Sequence, residues 1–140
     1  MNYRVLLGLF LASAPGCTVD AAGDGGGDRA PVGVSSGSLV LDWTIDGSKE
    51  PEQCDQSTSD TIDITVTASD GSPAGEFQQS CRALATTIDL APGSYSAEVV
   101  LLDSSGHDRT TSLHVRSFDI LGGDQLSVAI DFDADSFVSP

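Results

Sequence analysis

The chain has 140 residues, with 6 Lys plus Arg against 21 Asp plus Glu, for a formal net charge of −15. A polyanion of this kind is repelled by nucleic-acid phosphates and anionic bilayer surfaces, which excludes direct DNA or RNA binding and favours a soluble monomer. The 3 cysteines are an odd count, so one thiol is left over after any internal pairing.

Met1-Asn2-Tyr3-Arg4 carries one positive charge, and Val5 to Ala12 is nearly all apolar. That run is far short of the roughly 20 helical residues needed to cross a hydrocarbon core. It reads as the apolar part of a removable export signal. Two cleavage readings compete. Ala12-Ser13-Ala14 satisfies the small-x-small rule for secretory cleavage, but Pro15 follows and lacks a backbone N–H. A cut before Cys17 places Ala14 and Gly16 at the small positions instead. The order of charge, apolar run, small residues and Cys17 resembles a bacterial lipoprotein signal peptide. Ala14 stands where that motif usually has Leu, and Pro15 where it has Ala or Ser. The resemblance implies that residues 1–16 are removed, that Cys17 carries lipid, and that the protein is anchored in the bacterial envelope, at the outer membrane or cell surface. Simple secretion, and retention as an uncleaved tail, are the competing outcomes.

Residues 17–37 read as a tether. Thr18 to Arg29 is mostly glycine, alanine and aspartate, and Ala30 to Gly37 adds Pro31 and a serine pair. Such a stretch buries too little to offset its ordering entropy.

Residues 38–134 alternate with a period of two. Leu39, Leu41, Trp43 and Ile45 share one face of a first strand, with Asp42, Thr44 and Asp46 on the other. Ile62, Ile64, Val66 and Ala68 repeat the pattern. A weaker strand covers Glu76 to Ser80, and Thr86 to Leu90 alternates again. Tyr95 to Leu102 has apolar residues on both faces. Thr111 to Val115 alternates, but Phe118 and Ile120 fall on the opposite phase, which predicts a bulge near Arg116. Leu126 to Phe132 closes the set. Asp46-Gly47, Asp70-Gly71, Pro92-Gly93, Ser105-Gly106 and Gly122-Gly123 supply turn chemistry between strands. No segment has a sustained helical period. The expectation is one all-β domain, an antiparallel sandwich of about seven strands, followed by a C-terminal tail at residues 135–140.

Leu90-Ala91-Pro92-Gly93-Ser94-Tyr95-Ser96-Ala97-Glu98-Val99 resembles the L-x-P-G-x-Y-x-x-x-V segment of transthyretin-like and carboxypeptidase-regulatory-like sandwiches. The resemblance implies a Pro-Gly turn feeding a strand whose aromatic residue packs inward. Related adhesin repeats carry a Lys–Asn isopeptide bond. Here Asn2 is the sole asparagine and Lys49 the sole lysine, so that chemistry is not expected.

With Cys17 assigned to lipid, Cys54 and Cys81 remain. In an exported chain they are expected to pair, the alternative being two buried thiols. Neither belongs to a C-x-x-C pair, and His107 and His114 are the only histidines, so no metal site is expected. Gly33-Val34-Ser35-Ser36-Gly37 fits the nucleophile pattern G-x-S-x-G but lacks the preceding strand and following helix that the pattern needs. His107 reads as a solvated turn residue, and His114 as a residue on an exposed face. Asp131-Phe132-Asp133-Ala134-Asp135 begins like a calcium loop, yet Ser136 stands where glycine is needed, and it reads as an acidic edge. Trp43 and Tyr95 read as core residues and not as sugar platforms. Val40, Val100 and Leu102, opposite the core positions, are candidate contact residues or are half-covered by loops.

The sequence thus points to a non-enzymatic, lipid-anchored envelope protein without a cofactor. Its sandwich is a binding or structural module that meets an envelope macromolecule. The alternative is an accessory ligand-binding domain for calcium or glycan.

Overall fold

The computed structural model describes residues 35–139. The expected export signal, Cys17 and most of the expected tether therefore lie outside the described residues. Seven strands occur among them: β1 (Gly37–Ile45), β2 (Thr61–Ala68), β3 (Pro73–Ser80), β4 (Ala85–Leu90), β5 (Gly93–Leu102), β6 (Leu113–Ile120) and β7 (Gln125–Phe132). A five-residue helix, α1 (Glu52–Gln56), follows β1, and single 3-10 turns cover Cys81–Ala83 and Ala134–Ser136. No helix among the described residues is long and apolar enough to cross a membrane.

The strands form two sheets, with orders β4-β1-β7 and β3-β2-β5-β6. The predicted all-β sandwich is present, with one correction. β1 and β7 pair in parallel, from Ser38 opposite Gln125 to Ile45 opposite Phe132. A hairpin forces consecutive strands to run antiparallel. β1 and β7 are the first and last strands, with β2 to β6 between them, so no hairpin constrains their direction and parallel pairing is open to them.

The alternation places the core as expected. Leu39, Leu41 and Trp43 are fully buried on the inner face of β1, and Ile62, Ile64 and Val66 oppose them from β2. Tyr95, Ala97, Val99 and Leu101 complete the inner face of β5. Sheets packed about 10 Å apart leave one such layer between them. β7 lies at a sheet edge, so Leu126, Val128 and Ile130 are only half-buried against the core. The register of β5 and β6 shifts between Tyr95–Phe118 and Ala97–Val115, placing the extra residue at Arg116-Ser117, where the phase change predicted a bulge.

The boundaries of the folded unit differ from expectation. β1 starts at Gly37, and the carbonyl of Ser36 accepts a hydrogen bond from Gly123 N–H at 3.0 Å, so the last tether residues belong to the sheet. At the other terminus, residues 135–139 are not a free tail. Phe137 bridges to Thr110 and packs on the core, Ser136 is buried, and Val138 N–H donates to the Arg109 carbonyl at 2.9 Å. The alternation ends at Phe132, and the segment is held by cross-chain bonds that leave no periodic trace.

Candidate functional site

Cys54 and Cys81 are joined by a disulfide, with their Cα atoms 6.0 Å apart. Cys54 is the buried residue of α1, in the connection that carries the chain from β1 to β2. Cys81 opens the connection from β3 to β4. Both connections pass between the two sheets at the same end of the sandwich, so the bond joins one crossover to the other. Trp43 sits beneath it, and its Nε1–H donates to the Cys81 carbonyl at 2.9 Å. On the surface above, the Arg82 guanidinium pairs with the Asp55 carboxylate, which raises the Arg82 pKa.

The structure places the other singled-out residues on the surface or in turns. His107 is exposed in the loop after β5, 3.7 Å from Asp103 Oδ1. His114 is exposed on β6, 3.2 Å from Glu98 Oε1. Neither is joined to a serine hydroxyl among the described residues. Ser35, from the G-x-S-x-G match, is exposed where the chain enters the sheet. Asp103 caps its own loop by accepting from the N–H groups of Ser105 at 2.8 Å and His107 at 3.0 Å. The His107 N–H is the main cause that holds its carboxyl below the ordinary range.

The aspartate run after β7 is divided between structural tasks. Asp131 Oδ1 accepts from Thr44 Oγ1 at 2.6 Å and from Gly47 N–H at 2.9 Å, clamping the Asp46-Gly47 turn. Asp133 Oδ1 accepts from the N–H and hydroxyl of Ser136, at 3.0 and 2.8 Å. The two Asp133 bonds tie the residue before the 3-10 turn to its last residue. No group of three or more His, Cys, Asp or Glu among the described residues converges as a metal-binding cluster.

Trp43 is fully buried. Tyr95 is buried too, its ring 6.1 Å from that of Phe118 and its hydroxyl donating to the Ala91 carbonyl at 2.7 Å. The aromatic residue after Pro92-Gly93 therefore packs inward, as the resemblance implied. Val40, Val100 and Leu102 are half-buried.

A cleft that the alternation does not reveal opens at the disulfide end, with a volume near 350 Å³. Ile45, Ala134 and Phe137 give it apolar walls, while Asp46, Gln53, Gln56 and Arg109 add polar groups. These come from the first turn, α1, the loop before β6 and the C-terminal segment, which meet only in the fold. Arg109 is well fixed. Its N–H donates to the Leu101 carbonyl at 2.7 Å, its carbonyl accepts from Val138, and its Nε–H donates to the Ser57 carbonyl at 3.3 Å. The cleft and the chain entry lie at opposite ends of β1. Gly37 pairs with Leu90 at one end, and Ile45 pairs with Phe132 at the other. At about 3.3 Å per residue, a strand of this length separates them by roughly 26 Å.

No protein-family model matches the chain. No curated protein matches it either. Solved structures do. One is a leucine-rich repeat protein from Bacteroides thetaiotaomicron, with a TM-score of 0.47 and 16% identity, covering 71% of this chain and 12% of that one. A second, from the same organism and described as a candidate polysaccharide-binding protein, has a TM-score of 0.46, 13% identity, and coverage of 67% and 46%. A third, described as a candidate adhesin from Bacteroides ovatus, has a TM-score of 0.45, 14% identity, and coverage of 69% and 44%. The chain thus spans between 12% and 46% of the length of these proteins. At these scores the likeness carries no functional information.

Proposed function

We propose that this is a lipid-anchored protein of the bacterial envelope whose sandwich is a non-catalytic binding or structural module. The observation that carries the reading is the Cys54–Cys81 bond, which suits an oxidising compartment and accounts for two of the 3 cysteines. The third is Cys17, at the end of an apolar run and small residues and ahead of a glycine-aspartate stretch. The described chain enters the sandwich at the Gly37 end of β1, which leaves the disulfide end clear of the point where the tether joins. The net charge of −15 keeps the domain off anionic headgroups, so attachment rests on the lipid. A single acyl chain binds bilayers only marginally, and stable attachment takes more than one. The proposed partner is an envelope macromolecule met at the far end.

A fatty-acid probe in a bacterial host tests the anchor. The wild type should incorporate label and fractionate with membranes, whereas Cys17→Ser should do neither. Equal labelling of the two chains would reject it. The cleft favours a second reading, in which the module holds a ligand.

A further inference from the structure

We propose that the cleft at the disulfide end binds a single uronic-acid residue of a saccharide, with Arg109 holding its carboxylate. The proposal rests on the sandwich being a binding module and does not depend on the lipid anchor.

Arg109 stands apart from the other cations. Lys49, Arg82 and Arg116 are exposed, whereas Arg109 is half-buried and lines the cleft. Lys49 lies 4.0 Å from Asp42, and Arg82 is paired with Asp55. Among the described residues no carboxylate lies within 4.0 Å of the Arg109 guanidinium, although Asp46 lines the same cleft. Arg109 is thus half-buried without a directly paired carboxylate, although Asp103 lies near enough to feel its charge. Its Nε–H is spent on Ser57, and that bond orients the remaining donors as a planar fork suited to a carboxylate.

The other lining groups indicate what the carboxylate is attached to. Gln53 and Gln56 each offer an amide donor and acceptor, and Asp46 offers an acceptor. This surplus of two-way hydrogen bonding matches ring hydroxyls, and it exceeds what a peptide C-terminus with one side chain could use. Ile45, Ala134 and Phe137 form an apolar wall for the C–H face of a sugar ring. The cleft is shallow and open, with a volume near 350 Å³, so it accommodates one ring and leaves the rest of a saccharide in solvent. The negative field around the domain opposes polyanions at long range, so the site selects one carboxylate and not a run of them.

Calorimetric titration of the full chain with a galactose disaccharide in which one ring is galacturonate, the neutral galactose disaccharide and benzoate tests the assignment. The uronate should bind; the neutral disaccharide, which lacks the charge-assisted hydrogen bond worth roughly 1.5–3 kcal/mol, and benzoate, which lacks the ring hydroxyls, should each bind at least about tenfold more weakly. Arg109→Gln should abolish the preference for uronate over the neutral sugar. Because Arg109 also braces Ser57, Gln56→Ala, on an exposed side chain, is the second variant and should weaken uronate with no change in melting temperature. Arg116→Gln should leave binding unchanged. Equal binding of the neutral disaccharide, undiminished uronate binding by Arg109→Gln, or no uronate binding would overturn the proposal. Benzoate binding as tightly as the uronate would reject the saccharide in favour of a simple carboxylate. None of these outcomes bears on acylation of Cys17.

Discussion

Trp43 fills the middle of the core and also satisfies a buried carbonyl. Its ring is fully buried, and its Nε1–H meets the Cys81 carbonyl, which otherwise receives only the Leu84 N–H at 3.2 Å. Trp43→Phe should cost about 2 kcal/mol, from the lost hydrogen bond and the space the smaller ring leaves. Chemical denaturation of the two proteins measures this directly, and an unchanged midpoint would show the bond to be dispensable. Asp103 acts by charge and not by volume. Its carboxyl is held below the ordinary value of 3.8, so the folded state favours the ionised form. The resulting stability is therefore present above the ordinary value and is lost as pH falls through the lowered one. Amide exchange at Ser105 and His107 should accelerate on acidification through that range. In Asp103→Ala it should be fast at every pH. Trp43, Tyr95 and both histidines were legible in the sequence, because period and turn context alone determine whether such residues face in or out. The duties of Asp131 and Asp133 were not, since an aspartate run looks alike whether it is solvated or bonded to turns that arrive from elsewhere.

At the scale of elements, the disulfide governs the end where the chain twice changes sheets. It closes a separation of 27 residues, for which the chain-entropy estimate is about 3.5 kcal/mol. Replacing both cysteines with serine should lower unfolding stability by roughly that amount, less any relief in the folded state. Urea titration with and without reductant gives the same comparison on the wild type, and coincident curves would mean that the bond contributes nothing. Helix α1 buries only Cys54 and has no side-chain cap at its N-terminus, so that end should fray first when the bond is cut. The opposite end depends on a close approach. A Cβ built on Gly37 would lie 2.3 Å from the Leu121 carbonyl oxygen and 2.6 Å from Ile120 Cγ2. Gly37→Val should therefore push β1 away from the β6–β7 turn and cost about 1–3 kcal/mol. A thermal melt as high as that of the wild type would contradict this. The sequence assigns Gly37 to the tether because a glycine beside Ser35 and Ser36 shows no sign that a neighbouring turn needs the room.

The molecule as a whole carries a large excess of like charge. At −15, self-repulsion opposes the compact state, and screening shortens its range to about 8 Å at physiological ionic strength. The melting temperature should consequently rise with sodium chloride before levelling off. A flat or falling response would mean that the folded surface already balances its charges locally. The sandwich also has a polarity of its own, with chain entry and cleft at opposite ends of β1.

The sequence by itself determined the fold class, the inward faces of β1, β2 and β5, the bulge in β6, and the cysteines free to pair. Each of these follows from a local rule, either period-two alternation, a phase change or an even remainder of thiols. Tertiary structure alone decided that β1 and β7 run parallel and that residues 135–139 close the fold. It also decided that Gln53, Gln56, Arg109 and Phe137 line one cleft. Those residues stand on α1, the loop before β6 and the segment after β7, which share no local pattern. They meet because the disulfide joins the inter-sheet crossovers and because backbone bonds hold Arg109 against Val138. Long-range pairing of this kind depends on which chain ends a sheet brings together, and alternation along one strand does not encode it.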